Sequence, residues 1–216
     1  MSAGSSGDDS APLLPDAEDR SRSQCYLLFS GLLHAPPAPD LLAATAALQG
    51  DADLSLLGSL NELGACARQM TEEAIRHEYE DLFLGLGEAG INPYQSYYLT
   101  GFMYEKPLAE LRRTFHELGV RATRSTGDPE DHAAAILEAM AGLIAGTFGS
   151  PAPLSSQKDF FDQHIWTWIP SLFSDLAVHP DAAFYRAVGS AGAVFLEMEQ
   201  RAFEQVAPRV RDHGPQ

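Results

Sequence analysis

The sequence predicts an all-α fold, a single-domain bundle of about eight to ten helices. Three observations support this prediction. No segment alternates apolar and polar residues in the way that a half-buried strand does. Helix start and stop signals recur along the chain, such as Thr71 before Glu72 and Glu73, and Gly119 after the helical segment 105–118. Of the 216 residues, 45% are hydrophobic, which suffices for one sizeable core at this length.

Prolines, glycines and capping residues divide the chain into helical segments. A disordered tail is expected over 1–16, which is rich in Ser, Gly, Asp and Pro, then a helical domain over 17–208 and a second tail over 209–216. Residues 85–102 are expected to form a long loop. The predicted helical segments, in chain order, are 16–34, 40–49, 54–67, 71–85, 105–118, 129–148, a segment capped by Ser155 or Ser156 that Pro170 interrupts, and 181–208.

The charge balance excludes some functions. The chain has 14 basic and 30 acidic residues, a formal net charge of −16, whereas general nucleic-acid binding needs a basic footprint. The excess acid favours a cationic partner or serves only solubility, and both readings stay open.

No run approaches the roughly 20 apolar residues of a membrane span, so no stable membrane insertion is expected. The N-terminus lacks a secretory signal, and Cys25 and Cys66 are expected to be buried reduced thiols, which favours the cytoplasm.

No residue pattern supports catalysis, so the chain is not expected to be an enzyme. Gly85, Gly87 and Gly90 spell GxGxxG, but a predicted helix precedes them and residues 91–93 do not open one, as a dinucleotide site requires. The histidines are scattered, without HExxH or Glu-x-x-His, so neither a metal site nor a resident cofactor is expected. The GxSxG turn of a serine nucleophile is also missing from the sequence.

Two segments hold the candidate binding residues. In 127–132, a helix start is expected with Asp128 as its N-cap, Pro129 at the first position, and Glu130 and Asp131 in the first turn. His132 is not needed for such a start and is expected to be neutral and available for hydrogen bonding. Residues 92–102 are rich in aromatic and hydroxyl side chains and are not expected to be helical. Such a loop binds a partner or folds back into the core, and both readings stay open.

Three blocks resemble the TorD/DmsD/NarJ family of cytoplasmic maturation chaperones for bacterial molybdoenzymes. The first block is Tyr79-x-x-Leu-Phe, then Gly85 and Gly87, then Pro93-Tyr-x-Ser-x-Tyr98. The second is 128–132, Asp-Pro-Glu-Asp-His, which is similar to the family's Glu-Pro-x-Asp-His but has Asp in the first place. The third is 160–168, Phe-Phe-x-x-His-Ile-x-x-Trp, followed by Phe184–Tyr185 and a long terminal helix. The blocks keep the family's order over residues 20–206.

The resemblance implies a TorD-like helical fold and a client-specific chaperone. The family binds the apo catalytic subunit of a molybdopterin oxidoreductase, often at its twin-arginine signal peptide, and favours cofactor insertion before export or assembly. The run 96–102 suggests a formate dehydrogenase as the client, and some such clients lack a twin-arginine leader. Relatives also exchange segments, so a monomer or a segment-swapped dimer is expected, with 36–39 and 149–156 as hinges.

The expected client-binding residues form an acidic turn and an aromatic wall. Carboxylates take arginine in charge-assisted bonds, and an apolar stretch can lie in a groove as a helix. Asp131 is expected either to bind a client arginine or to fix the groove wall, with His132 beside it. The full set is Asp128, Pro129, Glu130, Asp131, His132, Tyr94, Ser96, Tyr97, Tyr98, Phe102 and Trp168.

Two alternatives come from other classes of protein. One is a helical enzyme that binds or hydrolyses a nucleotide with the glycine-rich loop, Asp131 and His132. Turnover of GTP or ATP that a Gly87 substitution abolishes would indicate it. The other is a permanent helical interaction subunit, which would be recovered stoichiometrically in the mature enzyme complex.

Overall fold

The computed structural model describes residues 15–50, 55–85, 90–120 and 129–206, and it confirms the all-α prediction. These residues form ten α-helices and no strand. The helices are α1 (Ala17–His34), α2 (Pro39–Ala46), α3 (Ser55–Gln69), α4 (Glu72–Tyr79), α5 (Gln95–Thr100), α6 (Lys106–Glu117), α7 (Ala133–Ala145), α8 (Leu154–Phe160), α9 (Ile169–Val178) and α10 (Phe184–Glu204). Apart from Pro15 and Asp16, the two expected tails lie outside the described residues, and the domain division stays a prediction.

Several helix ends follow directly from the local sequence. The Asp16 carboxylate caps α1 by accepting a hydrogen bond from the Asp19 N–H, 2.8 Å away. The Thr71 hydroxyl caps α4 in the same way, accepting from the Ala74 N–H. Gly119 follows α6 with a left-handed backbone, φ 67°. A π-helical turn, Glu80–Leu84, continues α4 up to Gly85, so a helix does precede the glycine-rich run, as the sequence indicates.

Other predicted boundaries are wrong. The expected loop 85–102 contains α5. Pro170 lies in the first turn of α9, where its missing N–H costs nothing, and so it begins a helix rather than interrupting one. No side chain caps α8, which starts at Leu154 after Pro153, instead of at a serine cap. The last helix begins at Phe184, three residues later than expected.

The core lies between α1, α7, α9 and α10, where the largest aromatic rings meet. The Phe29 ring of α1 is 5.4 Å from the Phe173 ring of α9 and 5.7 Å from the Phe195 ring of α10. All three side chains are fully buried. Each contributes roughly 1.5–3 kcal/mol through burial, so the centre of this bundle is held by the hydrophobic effect.

Glycines allow α9 and α10 to approach closely. A Cβ at Gly189 would lie 2.5 Å from the Phe173 carbonyl oxygen, and one at Gly192 would lie 2.5 Å from the Phe173 ring. A side chain larger than hydrogen at either position would therefore push the two helices apart. This contact also fixes α9, whose N-terminal end carries Trp168 as its N-cap.

Long-range polar contacts join helices that are distant in sequence. Arg22 of α1 donates from Nε and Nη2 to the two carboxylate oxygens of Glu199 on α10, at 2.8 and 2.9 Å. The Tyr26 hydroxyl donates to the same carboxylate.

Cys25 and Cys66 are half-buried free thiols, which is less burial than expected. Among the described helices, none is both long and apolar enough to cross a membrane.

Candidate functional site

The short helix α5 is the point where the three sequence blocks meet. Just before it, the Ala133 N–H donates to the Pro93 carbonyl at 2.8 Å, and the Gln95 N–H donates to the Asp131 carbonyl at 2.9 Å. These bonds form an isolated antiparallel bridge between Tyr94 and His132. The chain that enters α5 is thereby tied to the turn before α7, and the first two blocks lie side by side.

Asp131 caps α5 from a different part of the chain. Its Oδ2 atom accepts hydrogen bonds from the backbone N–H of Ser96, at 2.9 Å, and from the Ser96 hydroxyl. Both side chains are fully buried. A helix N-terminus leaves N–H groups without intrahelical partners, and a carboxylate at that end also complements the helix dipole. Of the two roles expected for Asp131, fixing the wall of the site is the one that this geometry favours.

The helix start predicted at Pro129 is wrong, because His132 occupies the N-cap position of α7. The His132 Nδ1 accepts a hydrogen bond from the Ala134 N–H at 3.1 Å. The His132 ring also meets the Tyr94 ring edge-on, with centroids 4.9 Å apart. Pro129 is buried in the turn before α7, and Asp128 lies outside the described residues. His132 is therefore part of the helix start, although the sequence predicts a helix that begins without it.

Residues of the third block pack against the buried side of α5. After α8, a π-helical turn (Phe161–Ile165) brings in His164, whose Nε2 lies 2.9 Å from the Thr114 hydroxyl of α6. The other ring nitrogen, Nδ1, lies 3.5 Å from the Gln95 amide nitrogen at the start of α5. The indole N–H of Trp168 donates to the His164 carbonyl at 2.7 Å. His164 thus joins α5, α6 and the third block in one cluster.

Tyr98 joins α5 to α9. Its ring lies over Trp168, with centroids 5.4 Å apart, and its hydroxyl donates to Asp175 of α9 at 2.8 Å. Burial and then this hydrogen bond raise the pKa of Tyr98, so its hydroxyl stays protonated. Trp168 is itself buried. The expected aromatic wall therefore includes two residues that support the site from inside.

The helix α5 and the turn after it expose large apolar side chains. The exposed fractions are 43% for Tyr97, 44% for Leu99, 70% for Phe102 and 72% for Tyr104, and these four residues are here called the α5 surface. The helix ends at Gly101, whose left-handed φ of 79° lets the chain leave the helix direction after only six residues. Four such side chains within eight residues make this segment a candidate interaction site.

Among the described residues of the acidic turn, Glu130 presents a carboxylate that solvent reaches. Its Oε2 accepts hydrogen bonds from Nε and Nη2 of Arg112 on α6, at 3.0 and 2.7 Å. The hydrogen bond from Arg112 is the main cause that lowers the pKa of Glu130, so this carboxylate is charged at neutral pH. The Glu130 side chain is 31% exposed, whereas Asp131 is sealed.

The structure therefore brings most of the expected site residues together, in two layers. Tyr94, Ser96, Tyr98, Asp131, His132 and Trp168 form a connected support, while Tyr97 and Phe102 lie outside on the α5 surface and Glu130 faces solvent beside Arg112. Sequence reasoning missed four residues that also make contacts here: Gln95, Arg112, Thr114 and Asp175. No local pattern distinguishes them, because each acts through a partner distant in sequence.

Acidification should loosen this support through His164. Burial lowers the pKa of His164 from an ordinary value of 6.5 to about 4, while Glu110 raises it and Arg113 lowers it by smaller amounts. Between these pH values the unfolded chain binds the proton and the folded chain does not, so the free energy of unfolding falls as the pH falls from 6.5 to 4. The contribution is at most about 1.4 kcal/mol per pH unit. We expect the free energy of unfolding, measured with urea at several pH values in this range, to fall more steeply with falling pH in the wild type than in His164→Gln. An equal dependence on pH in the two proteins would contradict this assignment.

The described residues include no cluster of three or more His, Cys, Asp or Glu side chains that could hold a metal ion. The site consists instead of an exposed apolar surface, an accessible carboxylate and a buried support. Such an arrangement can bind another chain.

Comparison with known proteins agrees in family and in fold. The family model described as "Nitrate reductase delta subunit" matches residues 50–174, more than half of the chain. Chaperone protein TorD of Vibrio cholerae is 30% identical over 159 residues, which cover 70% of this chain and 71% of the relative. TorD of Aliivibrio fischeri is 24% identical over 204 residues, which cover 85% of this chain and 94% of the relative.

A solved structure supports the fold independently. The crystal structure described as a redox enzyme maturation protein from Archaeoglobus fulgidus superposes with a TM-score of 0.56. The superposition covers 82% of this chain and 93% of the Archaeoglobus chain, and the two sequences are 23% identical. The resemblance predicted from the three blocks is thus confirmed, and the family is one of chaperones rather than enzymes. The chain belongs to the TorD/DmsD/NarJ family of molybdoenzyme maturation chaperones.

Proposed function

We propose that this chain is a cytoplasmic chaperone that binds the apo catalytic subunit of a molybdopterin oxidoreductase at the α5 surface. The segment bound is the twin-arginine signal peptide or an adjacent region, and binding assists cofactor insertion before export or assembly. The observation that carries the proposal is the exposure of four large apolar side chains on α5 and the turn after it, while the buried residues of α5 contact the other two sequence blocks. A formate dehydrogenase is the proposed client, on the resemblance of residues 96–102.

The chemistry of a twin-arginine leader fits this surface in both of its parts. Its apolar stretch gains free energy when it covers exposed rings, at roughly 25 cal/mol per Å² of apolar area removed from water. Its arginines meet a chain with a net charge of −16, and the Glu130 carboxylate is an accessible acid in the turn beside α5. Opposite charges speed the encounter, while the apolar contacts keep the complex together.

The rigid inner face of α5 also has a function in this proposal. A surface that is already ordered loses little conformational entropy when a partner binds. The cap by Asp131 and the contact of Tyr98 with Trp168 hold α5 in place, so the exposed rings are presented in a fixed arrangement.

Replacing the apolar side chains of the α5 surface should weaken binding without changing stability. We expect the double variant Leu99→Ser, Phe102→Ser to bind at least about tenfold less tightly, since each buried apolar side chain contributes roughly 1.5–3 kcal/mol. The measurement is calorimetric titration with a synthetic peptide that carries two adjacent arginines followed by an apolar stretch.

A matched control is Leu154→Ser, because Leu154 is 52% exposed on α8 and lies outside the proposed site. It should bind the peptide like the wild type. Unchanged affinity in the double variant, with melting temperatures equal throughout, would rule out the α5 surface as the binding site. Stoichiometric retention of the chain in the mature enzyme would indicate a permanent subunit instead of a chaperone.

A further inference from the structure

The ion pair between Arg112 and Glu130 lies where a client arginine is expected. The two residues are 18 positions apart in the sequence and join α6 to the turn before α7. Arg112 presents the edge of its guanidinium, with Nε and Nη2 both donating to Oε2 of Glu130. A carboxylate takes an arginine from another chain through charge-assisted hydrogen bonds of the same kind. The neighbouring acid, Asp131, is fully buried and is used as the cap of α5.

We infer that Glu130 is the receptor for a client arginine, and that Arg112 is an internal competitor which occupies this carboxylate until the client displaces it. This inference rests on the proposed function. It transfers the role of arginine receptor from Asp131, which solvent does not reach, to Glu130, which it does.

The pair is weak enough to be exchanged. The Arg112 side chain is 56% exposed and that of Glu130 is 31% exposed, and exposed pairs of this kind contribute little to stability. An incoming guanidinium would make the same bonds that Arg112 gives up. The exchange therefore costs little for a client that also covers the α5 surface.

The competitor serves selectivity. A chain with a net charge of −16 attracts cationic segments in general. A lone lysine or arginine that reaches Glu130 must first displace Arg112, so its net gain is small. A leader with an apolar stretch gains further free energy from the exposed rings of the α5 surface. Arg112 thus favours segments that are both cationic and apolar over segments that are only cationic.

The experiment compares Arg112→Gln with Arg113→Gln. Both residues are exposed on α6, and both substitutions remove one positive charge, but the contacts with Glu130 come from Arg112. With the twin-arginine peptide as the probe, we expect Arg112→Gln to tighten binding by about two- to fivefold more than Arg113→Gln does. In a Glu130→Gln background, Arg112→Gln should have no such additional effect. A peptide with lysines in place of the arginines should gain less.

A spectroscopic measurement follows the displacement directly. The Nε resonance of Arg112 in the wild type should move toward the position of a free guanidinium as the arginine peptide is added. Equal effects of the two arginine substitutions, or an effect of Arg112→Gln that persists without Glu130, would overturn the inference while leaving the proposed function intact. A wild-type chain that does not bind the peptide would overturn the proposed function as well.

Discussion

Replacing Asp131 by alanine is expected to unfold α5 and thereby to remove client binding. The Ser96 N–H and hydroxyl would lose their acceptor inside the protein, where water does not replace it. Loss of a helix cap together with hydrogen bonds to a charged group costs about 2–4 kcal/mol. A helix of six residues has little stability of its own, so the cost falls mainly on α5. The free energy of unfolding, measured with urea, should drop by this amount.

Hydrogen exchange distinguishes this indirect effect from a direct contact with the client. In the Asp131→Ala variant, the amides of α5 should exchange faster, and affinity for the twin-arginine peptide should fall with them. Ser96→Ala keeps the backbone bond to Asp131 and should show a weaker form of both effects. If affinity fell while the α5 amides exchanged at the wild-type rate, Asp131 would have to contact the client itself.

Glu78→Gln is expected to destabilise the whole protein. The Glu78 carboxylate of α4 accepts hydrogen bonds from three consecutive N–H groups at the start of α10, those of Ala183 at 2.9 Å, Phe184 at 3.2 Å and Tyr185 at 2.7 Å. A glutamine has one acceptor oxygen, and its NH₂ group would face N–H groups. We expect the free energy of unfolding to fall by about 2–4 kcal/mol, which corresponds to roughly 5–15 °C in melting temperature for a chain of this size.

Glu80→Gln provides the control for that experiment. Glu80 lies two residues further along and pairs with Arg76, but the side chains are 39% and 43% exposed. Its substitution should change stability by less than about 0.5 kcal/mol. Calorimetric melting of the two variants beside the wild type tests the difference. A loss of stability in Glu78→Gln no larger than that in Glu80→Gln would show that α10 does not depend on this cap.

Both large predictions concern the same device, a carboxylate that caps a helix far away in the sequence. Ser96 is 35 residues from Asp131, and Tyr185 is 107 residues from Glu78. A cap within the chain's own helix, such as Thr71, can be predicted from the residues that follow it. A cap supplied by another helix has no such pattern, because its position depends on the packing of the bundle.

The error at Pro129 has the same origin. A proline followed by two acids is typical of a helix start, and these residues would begin a helix if local preference decided. Instead, backbone bonds to Pro93 and Gln95 hold the turn beside α5 and delay the helix to Ala133. Likewise, α5 is hard to predict since its stability comes from Asp131 and Trp168, which belong to other segments.

The helical class, the locally capped helix ends and the family can be predicted from the sequence, because hydrophobic periodicity, capping chemistry and motif order are properties of neighbouring residues. The packing of the bundle settles that Asp131 is buried while Glu130 is accessible, that Arg112 reaches Glu130, and that Tyr98 packs on Trp168 while Tyr97 is exposed. Burial and contact depend on elements that the chain brings together over tens of residues, and no local preference encodes them.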